Sequence, residues 1–153
     1  NGGGGEAFRP LEIGEQVPLY AARTLAGDSV RVGAGQGLTL VNVWATWCES
    51  CREEMADLAE MRRSYEARGL KVVSVSVDEG DGERVRRFVR GEHVEFPVAH
   101  DPDGRVKDLY RTVGVPETYL ISGDGRLLWR QQGGLHGNPN AARGAIEAAL
   151  ASP

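Results

Sequence analysis

Apolar positions along the chain follow two different spacings, and together these predict a strand, a helix and a second strand in succession. Leu38 to Trp44 and Leu70 to Val77 are nearly continuous apolar runs, which is typical of strands buried on both faces. Between the two runs, apolar residues recur at helical spacing, and Gly69 supplies a stop just past the pattern. The helical positions are Met55, Leu58, Met61 and Tyr65.

Two antiparallel hairpins are predicted, one on each side of this unit, because short apolar segments flank turns that contain glycine and aspartate. The segments are Leu19 to Thr24 with Val30 to Val32, and Thr118 to Ser122 with Leu127 to Arg130. We expect the first hairpin to lie at a sheet edge.

The rest of the chain predicts further short elements. They are a helix over Glu83 to Arg90, a strand over Phe96 to Ala99, a helix carrying Val106, Leu109, Tyr110 and Val113 that ends at Gly114, and a last helix that begins at Asn138-Pro139. This order favours an α/β fold with a central mixed sheet, in which a parallel centre has antiparallel edges and helices cover both faces.

Length and charge narrow the picture further. With 153 residues, of which 41% are apolar, the chain can bury one core, so we expect one domain over residues 8–153. We also expect a monomer. Residues 1–7 are rich in glycine and predict a flexible tether. The net charge of -4 argues against nucleic-acid binding. The arginines at 84, 86, 87 and 90 alternate with apolar residues, which is typical of the solvated face of a helix, with a binding patch as the alternative.

The only two cysteines, Cys48 and Cys51, lie between the end of the first buried strand and the predicted helix. Unpaired N–H groups and the positive end of the helix dipole stabilise a thiolate in a first helical turn. Cys48 is therefore the expected nucleophile. Cys51 lies one turn further along the same helical face and is the expected resolving thiol, and Trp47 should cover the rim of the site.

Other uses of the pair stay open at this point. A Cys-x-x-Cys motif can be half of a zinc site, but the histidines at 93, 100 and 136 have no paired spacing, so no metal is predicted. A copper-carrying variant of the fold and an inert structural disulfide are the remaining alternatives. Redox chemistry needs no metal or organic cofactor.

Two segments resemble a known family. Val43 to Cys51 and Gly114 to Thr118, in this order, are similar to the motifs of the thioredoxin-like TlpA/ResA/DsbE group of thiol-disulfide oxidoreductases, which is associated with cytochrome c maturation. The resemblance runs from about Ile13 to the C-terminus. It implies a thioredoxin fold with an N-terminal hairpin and a helix-strand-helix insertion after Val77.

The resemblance also implies roles for particular residues. Pro116 should follow a cis peptide bond beside the cysteines, and Val115 should present backbone groups to the substrate. Trp47, Glu49, Ser50 and Glu117 complete the expected substrate-binding set. A third catalytic residue, Glu54, should influence thiolate formation or proton transfer, with a solvated first-turn acid as the alternative.

Three positions depart from the usual thioredoxin pattern. Asn42 replaces a buried aspartate, as is common in the cytochrome-maturation group, and Ser50 replaces a proline. Ala56 replaces a proline that usually kinks the helix, so we expect a straighter helix here. The acid at Glu49 opposes a thiolate at Cys48. We therefore predict a reduction potential nearer the about -270 mV of thioredoxin than the about -120 mV of the strong periplasmic oxidant.

The resemblance therefore implies a reductase of protein disulfides that is periplasmic or otherwise extracytoplasmic. The resemblance implies apocytochrome c-like substrates with cysteine pairs, a membrane dithiol protein as electron donor, and attachment to the membrane through a segment outside this chain. The alternatives are a thiol peroxidase on the same fold and a redox-inert or metal-carrying binding module.

Overall fold

A computed structural model describes residues 8–152, and its centre is a seven-stranded mixed sheet. The predicted tether over residues 1–7 lies outside the described residues. The sheet has the order β2-β1-β5-β4-β3-β6-β7. Its strands are β1 (Tyr20–Thr24), β2 (Ser29–Val32), β3 (Thr39–Trp44), β4 (Lys71–Ser76), β5 (Val98–His100), β6 (Glu117–Ile121) and β7 (Leu127–Gln132).

The pairing of the strands confirms a parallel centre with antiparallel edges. Strand β4 pairs in parallel with both β3 and β5. The hairpins β1–β2 and β6–β7 are antiparallel, and each joins the centre through an antiparallel pairing, β1 with β5 and β6 with β3. The first hairpin thus ends the sheet at β2, as predicted.

In the described part of the chain, five α-helices accompany the sheet: α1 (Glu49–Glu53), α2 (Met55–Tyr65), α3 (Glu83–Gly91), α4 (Arg105–Leu109) and α5 (Pro139–Ala151). A short 3-10 turn over Glu66–Arg68 extends α2 and ends at Gly69, whose φ of 108° is readily adopted by glycine. None of the helices in residues 8–152 combines the length and apolar character that a membrane crossing requires.

The core forms two layers, one on each face of the sheet. Leu40 and Trp44 of β3 pack in one layer with buried residues of α2, α3 and α5. Val41 and Val43 alternate with them and pack in the other layer, which contains α4 and the segment around Leu11. Both faces are covered, as predicted, but the second face carries one short helix.

Two predicted boundaries were wrong. The fourth helix ends at Leu109 rather than at Gly114, because Arg111 has a φ of 50° and the Val113 N–H donates to the Glu117 side chain. Strand β5 begins at Val98 rather than at Phe96. Pro97 has no N–H to donate to a sheet ladder, so the ladder starts after it.

Candidate active site

The cysteine pair lies at the junction that the sequence predicted. Strand β3 ends at Trp44, and Cys48 is the N-cap residue of α1. Cys48 and Cys51 form a disulfide, with their Cα atoms 5.3 Å apart. Cys48 is 9% exposed and Cys51 is fully buried. From solvent, a partner disulfide can therefore reach only the sulfur of Cys48. This difference suits a reaction in which Cys48 attacks first and Cys51 then resolves the mixed disulfide.

The residues around Cys48 differ in exposure. Trp47 is 66% exposed and stands at the rim, where the sequence placed it. Glu49 points to solvent in the first turn of α1, and Ser50 is half-buried with its Oγ 3.6 Å from the Cys48 Sγ. The Ser50 hydroxyl is therefore a polar neighbour of the reactive sulfur, and the residue next to Cys48 in the chain carries an exposed carboxylate.

Glu54 is fully buried, so the alternative of a solvated acid does not hold. The Asn42 side-chain amide donates to its Oε1, and the Leu135 N–H donates to its Oε2 over 2.8 Å. Burial raises the pKa of Glu54 to about 7, although the Leu135 and Asn42 hydrogen bonds favour the charged form and lower it. This carboxyl can both hold and release a proton near neutral pH.

The expected straighter helix is interrupted at this same residue. Helix α1 stops at Glu53 and α2 starts at Met55, while Glu54 between them has a ψ of -3°. The prediction from Ala56 was therefore wrong. Removing a proline leaves the backbone free to run straight, but here the inward hydrogen bonds of the Glu54 carboxyl accompany a local break in the helix.

Sequence reasoning missed the segment that covers Glu54. This segment follows β7, and a Cβ added to Gly134 would lie 3.5 Å from Ser50 and 3.7 Å from the Glu54 carboxylate. The Gly133-Gly134 pair was the available signal, because paired glycines allow a backbone to approach its neighbours closely. It gave no indication of which side chain the segment would meet.

The sequence also gave no role to Asp78, which is buried just after β4. Its carboxylate accepts hydrogen bonds from the Thr46 N–H (2.9 Å), the Thr46 hydroxyl (2.6 Å) and the Ser76 hydroxyl (2.6 Å). These bonds fix the loop between β3 and Cys48. Asp78 thus holds the backbone that leads into Trp47 and Cys48.

The Val115–Pro116 peptide is cis, as the resemblance implied. Pro116 is buried, and Val115 is half-buried and packs against the core layer that contains both cysteines. Val115 and Trp47 line a groove of about 540 Å³, together with the exposed Val113 and the basic Arg111. Val115 and Trp47 thus share one surface depression.

Trp47 and Val115 are the predicted substrate-binding residues that line this groove; Glu49, Ser50 and Pro116 do not line it, and neither does Glu117. Glu117 is buried, and its carboxylate accepts from the Val113 N–H (3.0 Å), the Tyr119 hydroxyl and Arg130. The cause is that side chains along β6 point alternately to the two faces of the sheet. Glu117 and Tyr119 face away from the cysteine side, and Thr118 faces Asn42. The prediction that Glu117 binds substrate thus finds no support in the position of its side chain.

Among residues 8–152, no group of three histidine, cysteine or acidic side chains is arranged to hold a metal ion. The histidines lie apart. His100 Nε2 bonds to the Asp78 carbonyl, and His136 Nδ1 lies 3.1 Å from Asp57.

A mixed sheet with a parallel centre, a Cys-x-x-Cys pair at the start of a helix and a cis-proline at the start of an antiparallel strand define a thioredoxin-like protein. Residues 13–130 match the AhpC/TSA family. The chain belongs to this family, and within it to the TlpA/ResA/DsbE group.

Named relatives share this assignment. The thiol-disulfide oxidoreductase ResA of Bacillus thuringiensis subsp. konkukian is 31% identical over 125 residues, which cover 80% of this chain and 71% of the relative. The ResA of Bacillus subtilis is 31% identical over 120 residues, covering 77% and 66%. A crystal structure of a candidate thiol:disulfide interchange protein DsbE from Chlorobium tepidum superimposes with a TM-score of 0.84 at 31% identity, covering 92% of this chain and 99% of that one.

Proposed function

We propose that this protein is a thiol-disulfide oxidoreductase that reduces disulfides in protein substrates. The observation that carries the proposal is the Cys48–Cys51 disulfide, which joins a partly exposed sulfur to a buried one on the helix that leads into a buried, titratable Glu54. Such a pair can be reached by a partner from one side only, and it has a proton acceptor in the following turn.

The reaction starts from the dithiol form of the pair. The Cys48 thiolate attacks one sulfur of the substrate disulfide, so that bond breaks, a mixed disulfide forms, and the first substrate sulfur leaves as a thiolate. Cys51 loses its proton and attacks the Cys48 sulfur, which releases the second substrate thiolate. Two electrons pass from the cysteine pair to the substrate, whose thiolates take up two protons, and the Cys48–Cys51 disulfide remains.

Glu54 serves the second step in this proposal. Cys51 is fully buried, so water cannot easily remove its proton, and an acceptor with a pKa of about 7 suits that task at neutral pH. Asn42 and Leu135 act as positioning residues, because their N–H groups hold the two carboxylate oxygens in place.

Substrate binding is assigned to the groove beside Trp47. Val115 offers backbone groups to an extended substrate segment, Pro116 supports that backbone, and Glu49 and Ser50 flank the attacking sulfur. Glu117 contributes to substrate binding through its backbone position at the start of β6, and its carboxylate takes no part.

We place this activity outside the cytoplasm, in the periplasm or its equivalent. The support is the similarity to proteins named ResA and DsbE together with the motifs of their group. The corresponding substrate is an oxidised cysteine pair in an apocytochrome c-like protein, and the electron donor is a membrane dithiol protein. The working unit is a monomer that uses one domain over residues 8–153, without a metal or organic cofactor.

A trapping experiment tests the proposal. The Cys51→Ser variant, reduced and mixed with an oxidised cysteine-pair peptide, should accumulate a mixed disulfide through Cys48, since the resolving thiol is gone. The Cys48→Ser control should trap nothing. Failure of Cys51→Ser to trap the peptide, combined with consumption of hydrogen peroxide by the wild type in dithiothreitol, would contradict the proposal and favour the peroxidase alternative.

A further inference from the structure

A second groove of about 570 Å³ lies between α1 and α3, and Trp47 forms one of its walls. Val115 lines the first groove and not this one, so Trp47 separates the two depressions. The side chains that give the second groove its character are Arg52, Arg84, Arg87, Phe88 and Glu92.

Positive charge dominates this second groove. Three guanidinium groups face one carboxylate, Glu92, which lies 3.9 Å from Arg52. Within residues 8–152, neither Arg84 nor Arg87 has a carboxylate within 4.0 Å, whereas the neighbouring Arg86 and Arg90 both pair with Glu83. The chain as a whole carries a net charge of -4, so the positive charge of this groove is opposite in sign to that of the whole chain.

The geometry favours carboxylate ligands in particular. The Arg52 guanidinium lies over the Phe88 ring, 5.3 Å from its centroid, and both side chains line the groove. Guanidinium groups bind carboxylates through two parallel hydrogen bonds. Arg84 and Arg87 lie three residues apart on α3 and therefore on neighbouring positions of one helix face.

We propose that this groove, which we call the arginine groove, binds an acidic segment next to the disulfide of the protein substrate. The inference rests on the proposed function and specifies its substrate class. Trp47 lines both grooves, so a substrate chain that lies on Val115 and continues over Trp47 next meets the three arginines. Because these arginines lie on an exposed rim, they act mainly on the rate of association, and salt weakens their effect.

The test compares oxidised cysteine-pair peptides that differ only in the residues beside the disulfide. Two acidic peptides carry aspartate and glutamate, one on the N-terminal side of the disulfide and the other on its C-terminal side. A neutral peptide carries serine and glycine instead, and a basic peptide carries lysine. With dithiothreitol as electron donor and at low ionic strength, we expect an acidic peptide to exceed the neutral one about tenfold in kcat/KM, since each rim contact contributes a few-fold. Salt at about 0.5 M should remove most of this preference.

A pair of double variants with the same charge change assigns the preference to the groove. Arg84→Glu/Arg87→Glu should bring the ratio of acidic to neutral kcat/KM to about one or below. The control, Arg31→Glu/Arg63→Glu, alters two exposed arginines on β2 and α2 and should keep the preference. Thermal unfolding of both variants checks that they fold.

The outcomes separate the two proposals. If wild-type protein fails to reduce the neutral peptide, the proposed function itself fails. If it reduces the neutral peptide but shows no preference for either acidic peptide, or if Arg84→Glu/Arg87→Glu keeps the preference, the assignment of the arginine groove is overturned while the proposed function stands.

Discussion

Glu54 sets the pH behaviour of the site through the burial of its carboxyl group. Its pKa in the folded chain is about 7, against an ordinary value of 4.5. Below about pH 4.5 the folded and unfolded chains both hold the proton. Between pH 4.5 and 7 the unfolded chain releases the proton while the folded chain keeps it, so the folded state loses stability as the pH rises.

This difference leads to a prediction for Glu54→Gln in the oxidised protein. The free energy of unfolding of the wild type, relative to the variant, should fall by about 3 kcal/mol as the pH rises from 4 to 8, because glutamine cannot ionise. Urea unfolding at several pH values measures it. The exposed neighbour gives a matched control, Glu53→Gln, which should show no such trend. A flat difference for Glu54→Gln would contradict the assigned pKa.

Glu49 governs the reduction potential in our account, because its negative charge beside Cys48 disfavours the thiolate. Glu49→His should make the reduction potential less negative. Glu53→His, one helical turn further on, should shift it less. Equilibrium titration against glutathione measures all three proteins, with the wild type expected nearer about -270 mV than about -120 mV. A wild-type value at the oxidising end, or a more reducing value for Glu49→His, would contradict this role.

At the scale of elements, the loop between β3 and α1 depends on Asp78. Asp78→Ala leaves the buried Thr46 N–H and two hydroxyl groups without their acceptor, so it should lower the free energy of unfolding by about 2 to 4 kcal/mol. It should also slow disulfide reduction, since the backbone leading to Cys48 is no longer fixed. Chemical denaturation and peptide reduction measure the two effects.

The control for this variant lies in the adjacent loop. Asp81→Ala removes an exposed carboxylate that accepts from the Glu83 N–H near the start of α3, so its effect should stay below about 1 kcal/mol. Equal losses of stability in the two variants would contradict a special role for the Asp78 hydrogen bonds.

The elements themselves were predictable where local pattern decides them. The fully buried β3 and the apolar face of α2 follow from periodicity alone, and both agree with the structure. The end of α4 and the start of β5 did not follow from periodicity. The first is set by a contact between Val113 and Glu117, and the second by Pro97.

At the scale of the whole molecule, the site combines one local motif with contacts between distant segments. Cys48, Cys51 and Pro116 were predictable because short sequence patterns carry them. The environment of Glu54 was not predictable, since Asn42 lies 12 residues away and Leu135 lies 81 residues away along the chain. Only the folded sheet brings these groups together, so the sequence left open whether Glu54 acts on the thiols or is a solvated acid of the first turn.

The central claim is that the cysteine pair gives two electrons to a substrate disulfide, and counting thiols tests it most directly. Fully reduced wild-type protein is mixed without oxygen with an equimolar oxidised cysteine-pair peptide, and the thiols of each are measured after separation. We predict that the protein loses the thiols of both Cys48 and Cys51 for each peptide disulfide that is reduced to two thiols. Recovery of both protein thiols with the peptide disulfide intact would contradict the account.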